Sequence, residues 1–182
     1  MFRSVTWAEV RKSGYCGIMD DQTRETSTPR DFGALAISLA AVGAVALLGG
    51  LASANAGADY QRLEQPSWAP PSWLFGPVWT VLYLAMAAAA WLVWCTDSSY
   101  RRPALIAYGV QLALNLAWSP LFFALQLRLL ALADIVALDV ALVVTIVVFT
   151  RVRRIAGLAL IPYLVWVLFA TALNYSIWSL NA

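Results

Sequence analysis

Residues 65–96 read QPSWAPPSWLFGPVWTVLYLAMAAAAWLVWCT, thirty-two consecutive positions without a charged side chain. The first part interleaves proline with tryptophan, as a shaped loop does. The second, about 73–95, is an apolar run of the length that crosses a hydrocarbon core of ~30 Å as a helix. Outward from it, charges are also missing from 33–58, 103–127 and 155–182, while 129–150 holds only Asp134 and Asp139. Five membrane-spanning helices are therefore predicted, at 33–55, 73–95, 103–124, 129–150 and 157–178. The 182-residue chain agrees as a whole. It is 62% apolar and 12% charged, against soluble norms of ~45–50% and ~25%, with a mean hydropathy of +0.71. The fold class is all-α, a polytopic bundle of five transmembrane helices. A soluble enzyme is excluded, and so is a porin-like barrel, whose strands alternate polar and apolar residues over ~10 positions.

Composition removes further classes. The chain has no histidine, so the usual zinc sites, a histidine-ligated haem and Ser–His or Cys–His catalysis are excluded. Cys16 and Cys95 are far apart and form no CxxC pair; neither a redox motif nor a metal site is expected. The net charge of +2 comes without a basic patch interleaved with aromatics, so no nucleic-acid partner is expected. Residues 1–32 form a polar tail of mixed charge, predicted to be disordered or to lie on the surface, without the apolar stretch and cleavage site of a signal peptide. Met19 opens an acidic stretch within it and is a second candidate start.

Short connections after the first make consecutive helices antiparallel neighbours in one bundle. No internal repeat is seen, against the inverted-repeat transporters. With five spans, the tail and the 96–102 and 151–156 loops share a side that holds ten of the twelve basic residues; Arg62 and Arg128 lie opposite. That bias predicts a cytoplasmic N-terminus, with the Pro/Trp loop facing the other compartment.

The third helix carries two stripes. Gly109, Ala113 and Ala117 recur every four residues, a spacing that lets two helices approach closely, either within the bundle or between two copies. Gln111, Asn115, Trp118 and Phe122 lie roughly opposite. Amides and an indole are costly against lipid, so this face is predicted to look inward, either to bond neighbouring helices or to meet a ligand. Pro120 should bend the helix after Ser119. The second helix aligns Phe75, Trp79, Tyr83 and Met86; the fifth aligns Tyr163, Trp166, Ala170, Leu173 and Ile177, with Asn174 alongside. Trp91, Trp94 and Trp178, near helix ends, read as interfacial anchors, whereas Trp79 and Trp166 have polar neighbours that place them inward. An apolar cavity walled by flat rings with a few amide and indole donors suits a flat apolar ligand. Asp134 reads as a capping or positioning residue near the start of the fourth helix. Asp139 lies deeper without an in-span cation, expected protonated or facing a wet cavity. Five residues apart, the two carboxylates sit ~140° around the helix and form no dyad.

Taken in order, these residues match a longer pattern. The loop and second helix carry Tyr60, Leu63, Pro66, Trp68, Pro70-Pro71, Trp73, Phe75, Pro77-Val78-Trp79, Leu82-Tyr83 and Met86. Then follow Gln111-Leu112, Leu114-Asn115, Trp118-Ser119 and Phe122-Phe123, Ala131-Leu132 and Asp134, Pro162-Tyr163, Trp166, and Leu173-Asn174-Tyr175. The pattern, over about 33–182, resembles the tryptophan-rich sensory protein/translocator protein family, also called peripheral benzodiazepine receptors.

The resemblance implies a five-helix bundle that binds porphyrins and haem-type tetrapyrroles and, in some members, cholesterol and synthetic isoquinoline or benzodiazepine ligands. It places the pocket beneath the first loop, with Trp79, Asn115, Trp166, Ala170 and Leu173 lining it and Tyr60 in the covering loop. Tyr83 and Trp118, on the same inward stripes, complete the candidate ligand-binding set. No obligatory cofactor is implied; porphyrin or haem would be the ligand. The resemblance also implies a homodimer through Gly109, Ala113 and Ala117. Three functions stay open: a tetrapyrrole-binding sensor or carrier, a light- and oxygen-dependent porphyrin-degrading enzyme with Trp79 and Trp166 as its reacting residues, and a sterol or lipid transport module. The chain departs from the family pattern at two places. After Tyr175 no basic residue follows, which removes the cholesterol-recognition pattern of animal members, and Asp139 has no counterpart in the motif.

Overall fold

The computed structural model describes residues 29–52 and 56–181. Most of the predicted tail, including Cys16, Met19 and the hydroxyl run before Pro29, lies outside the described residues. Five spans are present: Gly33–Leu51, Ser72–Trp94, Arg101–Ala124, Arg128–Val152 and Arg154–Leu180. No strand occurs among the described residues.

The helices are α1 (Pro29–Ala52), the short α2 (Ala56–Arg62), α3 (Phe75–Trp94), α4 (Arg101–Ser119), α5 (Arg128–Val152), the short α6 (Arg154–Leu158) and α7 (Ile161–Leu180). Proline sets where most of them begin. Pro29, Pro77, Pro103 and Pro162 all fall in the first turn of their helices, where a missing N–H leaves nothing unpaired and a fixed φ suits the helix.

Three boundaries depart from the sequence expectation. The segment 56–72, expected as loop, contains α2 and a single 3₁₀ turn at Ser72–Leu74. The third span does bend at Pro120, but as one turn of π-helix over Pro120–Ala124. There the Leu125 N–H donates to Pro120 O at 2.9 Å and the Leu127 N–H to Leu121 O at 2.9 Å. The turn ends at Gln126, whose φ of 55° is the left-handed conformation that stops a helix. The fifth span is broken into α6 and α7, because Pro162 cannot donate to the carbonyl of Leu158 and its ring crowds that turn.

Consecutive spans are neighbours, as expected. α4 packs most extensively on α5, α1 on α3, and α5 on α7, and α1 also meets α4. Lipid tails are as apolar as leucine, so apolar burial supplies little drive between helices; close packing and internal hydrogen bonds supply it instead. The outer belt is apolar, with Ile37, Val81, Ile106, Val140 and Val165 more than 60% exposed. One end of the bundle is closely packed around Met86, Ala89, Ala90, Val93, Ala104, Tyr108, Phe149 and Leu160. Gly157 is obligatory there: a Cβ on it would collide with Thr150 Cγ2 and come within 2.9 Å of backbone atoms of Ile146 and Thr150. That contact closes the hairpin between α5 and α6.

Candidate functional site

The other end of the bundle encloses a cavity of about 450 Å³, within the ~300–1,000 Å³ typical of small-molecule sites. All eight residues expected to bind ligand lie on its wall: Tyr60, Trp79, Tyr83, Asn115, Trp118, Trp166, Ala170 and Leu173. Helical spacing explains the convergence. Phe75, Trp79 and Tyr83 are successive turns of α3, Asn115 and Trp118 are successive turns of α4, and Trp166, Ala170 and Leu173 are successive turns of α7.

The rings brace one another edge to face. Phe75 lies 6.0 Å from Trp166 and Trp79 lies 6.0 Å from Tyr163, so α3 and α7 meet through aromatic rings. Trp118 stacks on Phe122 at 5.1 Å. Wide planar side chains of this kind hold helices apart where alanines would let them close.

A polar chain floors the cavity. The Tyr83 hydroxyl donates to Asn115 Oδ1 at 3.0 Å, and Asn115 Nδ2 donates to the Tyr163 hydroxyl at 2.9 Å. Tyr163 donates in turn to Gln111 Oε1 at 3.1 Å, and Gln111 Nε2 reaches Met86 Sδ at 3.9 Å. The inter-helix reading of the amides is realised in both residues. Gln111 only bonds neighbouring helices, whereas Asn115 does so and also faces the cavity. Above the floor, the indole N–H groups of Trp118 and Trp166 and both amide atoms of Asn174 are buried with no hydrogen-bond partner in the protein, and all three residues line the cavity. Buried polar groups left unpaired cost about 1–3 kcal/mol each, so this wall carries donors and acceptors that the protein itself does not satisfy.

The roof is the Pro/Trp loop, tied down at three places. The Tyr60 hydroxyl donates to Pro70 O at 3.1 Å, Gln65 Nε2 donates to Tyr60 O, and Trp68 sits edge-on to Phe169 at 5.7 Å. Burial pushes the Tyr60 phenol above its ordinary pKa of 10.0. At the far end of α7, Asn181 clasps Glu64: its Oδ1 accepts from the Glu64 N–H at 3.1 Å and its Nδ2 donates to Glu64 O at 3.0 Å.

Residues 36–179 match the TspO/MBR family. The tryptophan-rich protein TspO of Archaeoglobus fulgidus is 44% identical over 123 residues, covering 68% of this chain and 80% of the relative. Human translocator protein is 41% identical over 125 residues, 67% of this chain and 74% of its own. The tryptophan-rich sensory protein of Cereibacter sphaeroides is 37% identical over 143 residues, 79% and 88% respectively. The chain belongs to the TspO/MBR family.

Within this family member, three sequence readings each lose one of their two alternatives. Asp134 does not cap α5: the residue before that helix is Leu127, no side chain caps it, and Asp134 Oδ2 is buried without a partner. Asp139 does not face the cavity. It accepts a hydrogen bond from Thr171 Oγ1 at 2.9 Å, joining α5 to α7. The small stripe is turned outward, with Gly109 and Ala113 exposed and open space beside Gly109, so it seals no seam within the bundle.

The sequence reading gave no site role to four residues that the fold brings to the cavity or its roof. Gly49 and Gly50 of α1 form part of the wall, and a Cβ on Gly49 would stand 3.6 Å from Ser119 Oγ; the Ala/Gly-rich composition of that helix was the available signal. Asn174 was noticed only as a neighbour of the stripe. The Asn181 clasp joins positions 117 apart, and nothing local in the sequence announces it.

Proposed function

We propose that this membrane protein binds porphyrins and related tetrapyrroles in the cavity, as a receptor or sensor, without metal ligation by the protein. The observation that carries the reading is the wall itself: flat rings from α3, α4 and α7 alternate with unpartnered indole and amide groups of Trp118, Trp166 and Asn174. A macrocycle with a polar centre and a broad apolar plane fits both features. A sterol, with one hydroxyl at one end, would answer few of those polar groups.

The same reading places the N-terminus on the cytoplasmic side, since Arg101, Arg102, Arg151, Arg153 and Arg154 gather at the packed end and basic residues mark that side. It also takes the outward Gly109–Ala113–Ala117 stripe as the contact between two copies.

Titration of the purified protein with protoporphyrin IX, followed by tryptophan quenching, tests the site. Wild type should bind saturably, and a Trp79→Phe/Trp166→Phe double variant should bind about tenfold more weakly, since an aromatic pair is worth ~0.5–1.5 kcal/mol beyond its area burial and both broad indoles are lost. Equal binding by the double variant would remove this site. Loss of the bound porphyrin's Soret band under light and oxygen, in wild type alone, would convert the receptor into a degrading enzyme; competition by a sterol at equal potency would favour lipid transport.

A further inference from the structure

Among the described residues, the cations on the roof side are Arg62 and Arg128. The fold brings both to one small pocket of about 120 Å³, with Asp59, Gln126, Phe122 and Phe123. Phe122 and Phe123 also line the main cavity, so the two spaces share an aromatic wall. The turn that ends the third span builds this arrangement. The π-helical turn presents the two rings, Gln126 takes its left-handed conformation, and α5 starts at Arg128 two residues later.

Arg128 is half-buried, and its Nε is buried with no acceptor in the protein. A guanidinium stays charged at any ordinary pH and forks onto a carboxylate with two parallel donors. Arg62 reaches only Asp59, at 4.0 Å, with its own side chain 81% exposed; such a pair is weak and leaves Arg62 able to turn. With two arginines and one aspartate, the pocket carries a formal charge of +1. The uncapped N-terminal end of α5 adds further positive potential.

We infer that this pocket is a carboxylate subsite of the cavity, in which Arg128, helped by Arg62 and the Gln126 amide, holds an acidic side arm of the bound ligand. The inference rests on the tetrapyrrole reading and narrows it to macrocycles bearing carboxylate arms: the ring lies between the indoles, and an arm passes Phe122 and Phe123 to the arginines. The phosphate of an anionic lipid offers the same oxygen chemistry, so the test must separate the two sources.

The probes are protoporphyrin IX and its dimethyl ester, which differ only in the acids, titrated by tryptophan quenching in a neutral detergent. Wild type should prefer the diacid by about tenfold, the order expected for one charge-assisted contact. Arg128→Gln and Arg62→Gln together should bring the two affinities within about twofold while leaving the ester's unchanged. Arg62→Gln alone, at an exposed side chain, secures a folded variant and should remove part of the preference. Equal binding of diacid and ester by wild type overturns the subsite and leaves the tetrapyrrole reading standing. So does a preference that survives both substitutions, or one that is absent while the substitutions strip phosphatidylglycerol from the protein in native mass spectrometry. Failure of both probes to bind overturns subsite and parent reading together.

Discussion

The two halves of the bundle are made from the same five spans and are filled in opposite ways. The half around Met86, Ala89, Ala90, Phe149 and Gly157 is closed by small residues that let backbones touch. The half around Trp79, Trp118, Trp166 and Phe75 is propped open by rings, edge to face between α3 and α7 and stacked between Trp118 and Phe122. The Tyr83–Asn115–Tyr163–Gln111 chain marks the border. Stability and the proposed binding thus fall on different turns of the same helices, and substitutions should separate them.

The largest effect is expected at the packed end. Gly157→Val puts side-chain atoms into Thr150 and the backbone of α5, which cannot give way; a loss of about 3 kcal/mol or more, read as collapse of the monodisperse peak in size-exclusion chromatography, is expected. Near-normal yield would mean that the α5–α6 contact is looser than described. At the border, Tyr163→Phe leaves Asn115 Nδ2 and Gln111 Oε1 without their shared hydroxyl and should cost about 1–3 kcal/mol, visible as a lowered melting temperature in detergent. Tyr83→Phe, which removes one bond at the cavity edge, should cost less.

At the open end the expectation reverses. Ala170→Leu fills cavity space rather than packed space, so porphyrin affinity should fall about tenfold, or 1.4 kcal/mol, while the melting temperature stays put. An Ala170→Leu protein that is destabilised without binding porphyrin more weakly would break the division between the halves. The smallest effect belongs to the roof. Because burial raises the Tyr60 phenol above 10.0, the folded protein holds this proton more tightly than the unfolded chain. The stabilisation is complete below pH 10 and is lost as pH rises through the folded value. The difference in 295 nm absorbance between wild type and Tyr60→Phe should show the loss of one tyrosine that titrates above pH 10.0, with the loop becoming more susceptible to protease above pH 10 in wild type alone.

The open half was the more legible of the two from sequence. Trp79, Tyr83, Asn115, Trp118, Trp166, Ala170 and Leu173 repeat at three- and four-residue intervals, and polar groups in a charge-poor span point inward for a reason that needs no neighbour to be known. Tyr60, in the roof, came instead from the family pattern. The packed half gave weaker signals, because alanine and glycine suit both a lipid-facing surface and a tight contact. The Gly109–Ala113–Ala117 stripe lies on the outside, while the glycine that closes a contact is Gly157, which belongs to no stripe. Asp139 could be recognised as unusual, but its partner Thr171 lies on another helix. The break before α7 was signalled by Pro162 and passed over, since a proline near a helix start and one interrupting a longer helix look alike in sequence.

The clasp between Glu64 and Asn181 also has a consequence for biogenesis. A ribosome adds roughly 5–20 residues per second, so the 117 positions separating the two partners take roughly 6–23 s to make. Throughout that interval the roof lacks this fastening while later helices are still being inserted. The cavity is therefore still unfastened at this point while α7 is being made, and Asn181, the residue that follows that helix, fastens its roof last.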